Sequence, residues 1–292
     1  MGMFEQVIGD LHQGMRMGMA WSRAYASYRL WLHRARPPGG AGRCEADDID
    51  VYYLSYGRGE PVLMLHGGFM FAETWAAQIP ALARGYQAVA TDARGHGRTT
   101  LGSLPITYRQ LAEDASAFIE HLGLGPVHLI GWSDGGCAGL AMAIERPDLV
   151  RSMVLLGTPF NTHNYTPEAK RGLERILRPR SLSMLGLRAL RRVMTPEPEK
   201  GLQFVAEMSK MWLNLPDFTL YDLRRIEAPT LVIGCDRDEY LSLTEDPLEI
   251  FKQTANAIPR AKLATVKGGT HSVSIERPGP VNRLIQDFLS GN

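Results

Sequence analysis

A serine flanked by glycines lies between an apolar segment and a small-residue segment. The stretch HLIGWSDGGCAGLAMA (128–143) contains a G-x-S-x-G motif centred on Ser133. Between a strand and a helix, this motif forms a sharp turn that exposes the hydroxyl group as a nucleophile. Gly131 and Gly135 suit such a turn because a side chain would crowd it. We therefore interpret Ser133 as a nucleophile; a serine that only caps the helix is the alternative.

A nucleophilic serine needs a general base, and His271 is the best placed of the eight histidines. It lies in VKGGTHSV, a glycine-rich loop directly after the last predicted strand. His66 and His96 also lie in loops after strands, but both precede Ser133 beside glycine turns. His271 is therefore the predicted base, and a structural loop histidine is the alternative.

An acid that orients the histidine should follow a strand between Ser133 and His271. The segment LVIGCDRDEYLSL offers Asp236 and Asp238 after such a strand. Asp238 lies further past the strand end, so we favour it. We expect Asp236 to cap the turn, which is a common role for aspartate.

The composition is that of an ordinary globular enzyme. The 292 residues are 45% hydrophobic and 22% charged, and the net charge of +1 gives no reason to expect a nucleic-acid partner. Three cysteines outside any CxxC pattern favour a reducing, cytoplasmic setting. The motifs include neither a metal-ligand cluster nor a nucleotide-binding glycine loop, so we expect no metal and no cofactor.

Apolar strands alternate with helices along most of the chain, which predicts an α/β fold with a mostly parallel sheet covered on both faces. The alternation runs through 44–159 and 224–292 and defines the core. Between them, 160–223 lacks a strand-length apolar run and is predicted to be an inserted helical cap. Ligands bind at the carboxyl edge of such sheets, so the cap would cover the site.

The cap is predicted to contain helices near Glu168–Leu177 and Gly201–Leu213. Its apolar residues would pack the helices together or line a pocket. It is also rich in arginine, which we interpret as a solvated helix face rather than an anion site. These arginines are Arg171, Arg175, Arg178, Arg180, Arg188, Arg191 and Arg192.

The first 43 residues form a separate arm that ends near the sequence PPGG. Apolar and aromatic residues recur at helical spacing, including Trp21, Tyr25 and Tyr28, which predicts a helix. Charged residues interrupt the apolar run, so neither a signal peptide nor a membrane span is expected. The helix is compatible with packing on the body, with a homodimer contact, or with a membrane surface.

These features resemble the α/β-hydrolase fold from about Glu45 to the C-terminus. The resemblance is carried by HGG, DARGHGRT, GWSDGG, GCDRD and GGTHSV, and by the order Ser133, Asp238, His271. It implies a capped serine esterase with these three residues as its catalytic triad. It also implies an oxyanion hole formed by the backbone N–H groups of Phe69 and Asp134.

The resemblance favours hydrolysis of small to medium hydrophobic carboxylic esters through an acyl-serine. A C–C bond hydrolase, a lactonase or an acyltransferase would use the same triad, and a ligand-binding protein could retain the scaffold. Relatives resembling valacyclovir hydrolase also carry GWSDGG and receive a substrate amine in an acidic pocket. Asp134 is therefore a candidate for binding a cationic group; hydrogen bonding within the turn is the alternative.

Overall fold

Eight strands form a single sheet in a computed structural model that describes residues 3–164, 170–171, 173–174, 177, 182–241 and 246–292. The strands are β1 (Gly39–Ala46), β2 (Ile49–Tyr56), β3 (Pro61–Leu65), β4 (Gln87–Thr91), β5 (Val127–Trp132), β6 (Val150–Leu156), β7 (Thr230–Cys235) and β8 (Ala261–Val266). Their order is β1-β2-β4-β3-β5-β6-β7-β8. Strands β3 to β8 run parallel and β1 and β2 antiparallel. The predicted α/β-hydrolase fold class is confirmed.

Helices cover the sheet. The α-helices are α1 (Met3–Ala35), α2 (Ile79–Leu82), α3 (Tyr108–His121), α4 (Asp134–Glu145), α5 (Leu182–Met194), α6 (Gly201–Asn214), α7 (Leu220–Leu223), α8 (Glu249–Ala257), α9 (Val273–Glu276) and α10 (Pro278–Leu289). Short 3₁₀ turns occupy Ala72–Trp75, Pro147–Leu149, Thr162–Asn164 and Pro198–Lys200. The apolar segment after β3 forms the 3₁₀ turn at Ala72–Trp75 and then α2.

The two faces of the sheet pack against separate apolar cores. Every residue of β5 is buried, and alternate side chains point to opposite faces. Leu129 belongs to the core that contains Phe118 of α3, whereas Ile130 belongs to the core with Trp75 and Ile285. This two-sided burial explains why the central strands read as continuous apolar runs rather than alternating ones.

Strand β1 lies where the sequence predicted the end of the N-terminal arm and no strand. Its residues GGAGRCEA pair antiparallel with β2 along their whole length. Gly39 has φ 118°, and a Cβ there would overlap the Ser55 carbonyl oxygen. Glycine has a low propensity for β-strands, so β1 is stabilised by its pairing with β2 rather than by its local sequence.

Helix α1 packs its second half against the body. Tyr28 is only 3% exposed and meets the Tyr56 ring edge-on, with 6.1 Å between centroids. Trp21 donates a hydrogen bond from Nε1 to the Glu73 carbonyl at 3.1 Å. Met17 Sδ lies 3.2 Å from the hydroxyl of Ser272, the residue that follows His271. The aromatic face of the arm therefore covers one apolar core of the hydrolase body.

Helices α5, α6 and α7 lie between β6 and β7 in the chain, in the region predicted as a cap. The helix predicted at Gly201–Leu213 is present as α6. The helix predicted at Glu168–Leu177 falls largely outside the described residues, and the proposed domain division stays a prediction. None of the helices that the structure describes is long and apolar enough to cross a membrane.

We expect Tyr28→Ala to reduce the free energy of unfolding by about 3 kcal/mol or more, because it removes a buried aromatic side chain. Leu30→Ala is the matched control on the same helix: Leu30 is 46% exposed, so its loss should cost about 0.5 kcal/mol or less. Urea denaturation followed by circular dichroism measures both. Equal small losses would mean that the arm adds nothing to the stability of the body.

Candidate active site

Ser133 occupies a strained turn between β5 and α4. Its φ is 54° and its ψ −117°, a conformation that residues with a side chain rarely adopt. Its N–H donates to the Leu156 carbonyl of β6 at 2.9 Å, and its own carbonyl accepts from Gly136 and Cys137 in the first turn of α4. The Ser133 side chain is partly exposed, so this sharp corner presents its hydroxyl to solvent.

The glycines of the motif allow the close packing around this corner. A Cβ at Gly135 would overlap the backbone carbonyl of Leu65 in β3, and one at Gly131 would lie 2.5 Å from the Gly136 Cα. Neither neighbour can move aside, because both are backbone atoms. Glycine is therefore required at both positions because two backbone segments lie too close together for a side chain between them.

His271 and Asp238 are brought together after β8 and β7. The imidazole Nδ1 lies 2.9 Å from Asp238 Oδ2. Asp238 is fully buried, and its other oxygen accepts from the N–H groups of Tyr240 and Leu241 at 3.0 Å each. These contacts fix the carboxylate, so His271 must carry its proton on Nδ1 and leave Nε2 as the basic nitrogen.

Asp236, the alternative acid, has a different partner. Its Oδ1 accepts from the N–H of Gly268 at 2.5 Å. This bond joins the loops that follow β7 and β8, which is the turn-capping role expected for whichever aspartate did not orient the histidine.

The loop that carries His271 is tied to the serine turn. Trp132, the residue before the serine, donates from Nε1 to the His271 carbonyl at 2.8 Å. Glu239 accepts from the His271 N–H at 3.0 Å, a contact that no motif or spacing predicts. Burial opposes protonation of the ring, but Asp238 and Glu239 outweigh it, so the pKa of His271 lies above its ordinary value.

The loop after β3 offers backbone donors near the serine. A Cβ on Gly67 would lie 3.3 Å from the Ser133 Cβ, so the two segments are adjacent. Phe69 has φ 61°. Among the described residues, the N–H groups of Gly68, Phe69 and Asp134 have no hydrogen-bond partner. Phe69 and Asp134 are the residues whose amides the resemblance assigns to an oxyanion hole, and that assignment stays a prediction.

Asp134 is buried and bonded within the protein. Its Oδ1 accepts from the Tyr108 hydroxyl at 2.9 Å, and its Oδ2 accepts from Trp212 Nε1 of α6 at 2.7 Å. Desolvation raises the pKa of this carboxyl to about 6, against the opposing effect of the two hydrogen bonds. The geometry favours a structural role over amine recognition, since both oxygens are occupied. Trp212 could not have been paired with Asp134 from sequence, because 78 residues separate them.

The family follows from sequence comparison. A model of the α/β hydrolase family matches residues 62–284. The chain therefore belongs to the α/β hydrolase family.

Two similar sequences belong to hydrolases of different substrates, and one similar structure shares the fold. The (E)-2-((N-methylformamido)methylene)succinate hydrolase of Acinetobacter baylyi is 28% identical over 259 residues, 82% of this chain and 94% of that protein. The 2-hydroxy-6-oxo-6-(2'-aminophenyl)hexa-2,4-dienoic acid hydrolase of Metapseudomonas resinovorans is 28% identical over 265 residues, 84% of this chain and 89% of that protein. A carboxylesterase from Bacillus subtilis shares the fold with a TM-score of 0.72 and 19% identity, over 94% of this chain and 99% of that one.

We expect Asp134→Asn to remove a pH dependence of stability. The folded protein holds the Asp134 proton up to a pKa of about 6, whereas the unfolded chain releases it near 3.8. Wild-type stability therefore falls as pH rises through this window. The unfolding free energy of the variant minus that of the wild type should increase by about 2 kcal/mol between about pH 4 and about pH 7.

Urea denaturation at the two pH values measures this difference. Asp287→Asn, a change at an exposed position of α10, is the control and should show no such trend. A pH-independent difference for Asp134→Asn would contradict the assignment.

Proposed function

We propose that this protein is a serine hydrolase that cleaves carboxylic esters of small to medium hydrophobic substrates through an acyl-serine. The observation that carries the proposal is the 2.9 Å hydrogen bond between His271 and Asp238, in a loop tied to the strained turn of Ser133. Nucleophile, base and orienting acid then have the roles that acyl transfer requires.

In the first step, Ser133 Oγ attacks the ester carbonyl carbon and its proton passes to His271 Nε2. Asp238 holds the imidazole in the required tautomer and stabilises the imidazolium that forms. The tetrahedral intermediate collapses, the bond to the alcohol oxygen breaks, and the alcohol leaves with the proton from His271. The products of this step are the free alcohol and the acylated serine.

Water completes the cycle. His271 Nε2 takes a proton from a water molecule as its oxygen attacks the acyl carbonyl. Collapse of the second tetrahedral intermediate returns the proton to Ser133 Oγ and releases the carboxylic acid. The raised pKa of His271 means that the neutral, basic form is lost as pH falls through that value.

Both intermediates carry an oxyanion that needs donors. We assign them to the N–H groups of Asp134, at the N-terminus of α4, and of Phe69 in the loop after β3. Each such donor contributes about 3 kcal/mol to transition-state stabilisation in comparable enzymes. The unpaired state of both amides among the described residues supports this assignment.

One relative hydrolyses a dienoic acid rather than a simple ester, and C–C bond hydrolysis would use the same triad. Ester cleavage is the first choice because a scissile ester needs no group beyond the triad and two donors. In the test below, labelling of Ser133 by the probe without hydrolysis of any ester would favour a lactone, a C–C substrate or an acyl acceptor other than water.

Hydrolysis of p-nitrophenyl esters from acetate to laurate tests the proposal. We expect activity that peaks at one chain length and that Ser133→Ala reduces by about 10⁴-fold or more. A fluorophosphonate probe should label the wild type but not the variant. If the folded wild type neither reacts with the probe nor hydrolyses any ester, the serine hydrolase assignment is wrong.

The two aspartates provide a matched pair. Asp238→Asn should lower kcat by about 10⁴-fold, because the amide favours the wrong tautomer of His271. The acid limb of the residual kcat/KM profile should also move to lower pH, since the charge that raises the pKa of His271 is gone. Asp236→Asn should cost about 1 kcal/mol of stability with near-normal kcat. A large loss in both variants, or in Asp236→Asn alone, would contradict the assignment.

A further inference from the structure

The N-terminal arm differs in charge from the rest of the protein. The first 44 residues contain six arginines and two acidic residues, Glu5 and Asp10, and so carry a net charge of +4. The rest of the chain carries a net charge of −3. Between Asp10 and Glu45 the sequence has no acidic residue. Such a charge asymmetry within one chain favours an anionic partner for the arm.

Helix α1 has one face against the body and one face in solvent. Tyr28 is buried and Trp31 is half-buried, and both pack on the apolar core that lies beneath the helix. The opposite face carries three large apolar side chains, Met15, Met19 and Leu30, which are 54%, 56% and 46% exposed. Because the packed face fixes the helix to the body, the exposed face has a defined direction.

Arginines flank the exposed apolar side chains. At about 3.6 residues per turn, Arg23 and Arg34 lie on one side of the row formed by Met15, Met19 and Leu30, and Arg29 lies on the other side. All three arginines are exposed. Within the part of the chain that the structure describes, none of the three forms an ion pair.

Two carboxylates of the body lie beside α1, and both have other partners. Glu276 lies 3.4 Å from Arg16 and accepts from the Thr270 hydroxyl at 3.0 Å. Glu73 accepts with both oxygens from the guanidinium of Arg98, at 2.6 Å each. Among the described residues, the three flanking arginines therefore keep an uncompensated positive charge.

The combination of apolar and basic side chains distinguishes between anionic partners. Nucleic acid is bound chiefly through its phosphates and offers no apolar medium to Met15, Met19 and Leu30. A second copy of the same face would bring arginines against arginines. An anionic bilayer accepts both kinds of group, because arginines stay at the lipid headgroups while apolar side chains enter the acyl boundary.

We propose that the exposed face of α1 binds the surface of a membrane that contains anionic lipids. The helix lies along that surface and does not cross it, with a contact about 28 Å long from Met15 to Arg34. Electrostatic attraction of the arginines supplies the dependence on anionic lipid, and insertion of the two methionines and Leu30 adds affinity. This inference goes beyond the proposed function and does not depend on it, since membrane binding needs no turnover.

Sedimentation of the full chain with sucrose-loaded vesicles tests the proposal. The protein should pellet with phosphatidylcholine vesicles that contain about 30% phosphatidylserine, remain in solution with phosphatidylcholine alone, and dissociate when salt is raised to about 0.5 M. Ser133→Ala should bind like the wild type, so failure of the proposed function leaves this result unchanged.

A matched pair of triple variants locates the surface. Arg23→Gln, Arg29→Gln and Arg34→Gln together should lower the partition coefficient by about 100-fold, because each arginine near an anionic surface contributes about fivefold. The control removes the same charge from exposed positions of the body and should lower it by about threefold or less. Its substitutions are Arg58→Gln, Arg224→Gln and Arg260→Gln. All six positions are exposed, so both melting temperatures should stay near that of the wild type.

A third variant tests the apolar part. Met15→Gln, Met19→Gln and Leu30→Gln together should weaken vesicle binding by about tenfold. Unchanged binding by this variant, together with equal affinity of the wild type for a short DNA duplex, would mean a general polyanion site and would overturn the proposal.

Three other outcomes would also overturn it. The first is equal binding of the wild type to neutral and anionic vesicles, or to neither. The second is an equal loss of binding in the two arginine variants, which would mean that α1 is not the contact. The third is a dimer, seen by analytical ultracentrifugation, that the apolar variant dissociates, since a second copy would then cover this face.

Discussion

The approach of α4 to β3 is the constraint on which the rest of the site depends. A side chain at position 135 would overlap the Leu65 carbonyl, so only glycine lets the helix begin where it does. That approach forces Ser133 into a left-handed backbone conformation, which lifts its hydroxyl from the sheet edge. It also brings the first turn of α4 against the end of β3 and the residue that follows it, His66. Strain at one residue is offset by dense packing around it.

The sequence could predict those parts of the fold that local patterns specify. The parallel strands are continuous apolar runs, and the serine turn carries its own glycines, so both were identifiable without coordinates. Strand β1 was not, because its glycine-rich residues acquire their strand conformation only by pairing with β2. Asp238 could be preferred to Asp236 but not separated from it with certainty, because the two lie two residues apart on one loop. Their partners, His271 and Gly268, distinguish them only in three dimensions.

The contacts that the sequence could not predict lie where helices α5 and α6 meet the rest of the protein. Arg191 belongs to an arginine-rich helix, and sequence alone assigned all such residues to solvent. Burial of its guanidinium depends on the Gly95 carbonyl and the Phe204 ring, neither of which is local to the helix. In the same way, Trp212 reaches Asp134 from a distant segment. Contacts of this type join segments far apart in the chain, so neither the periodicity of the sequence nor a motif predicts them.

Because Trp212 donates a hydrogen bond to Asp134, a change in α6 also changes the surroundings of the turn that carries Ser133. A mutagenesis library that varies Trp212 would also remove one of the two side-chain donors to the buried carboxylate next to Ser133. Positions 134 and 212 are therefore best varied as a pair, for example an asparagine or an apolar residue at 134 together with a non-donor at 212. Libraries built this way would separate a change in the shape of α6 from a change in the electrostatics around Ser133, two effects that single substitutions at Trp212 would mix.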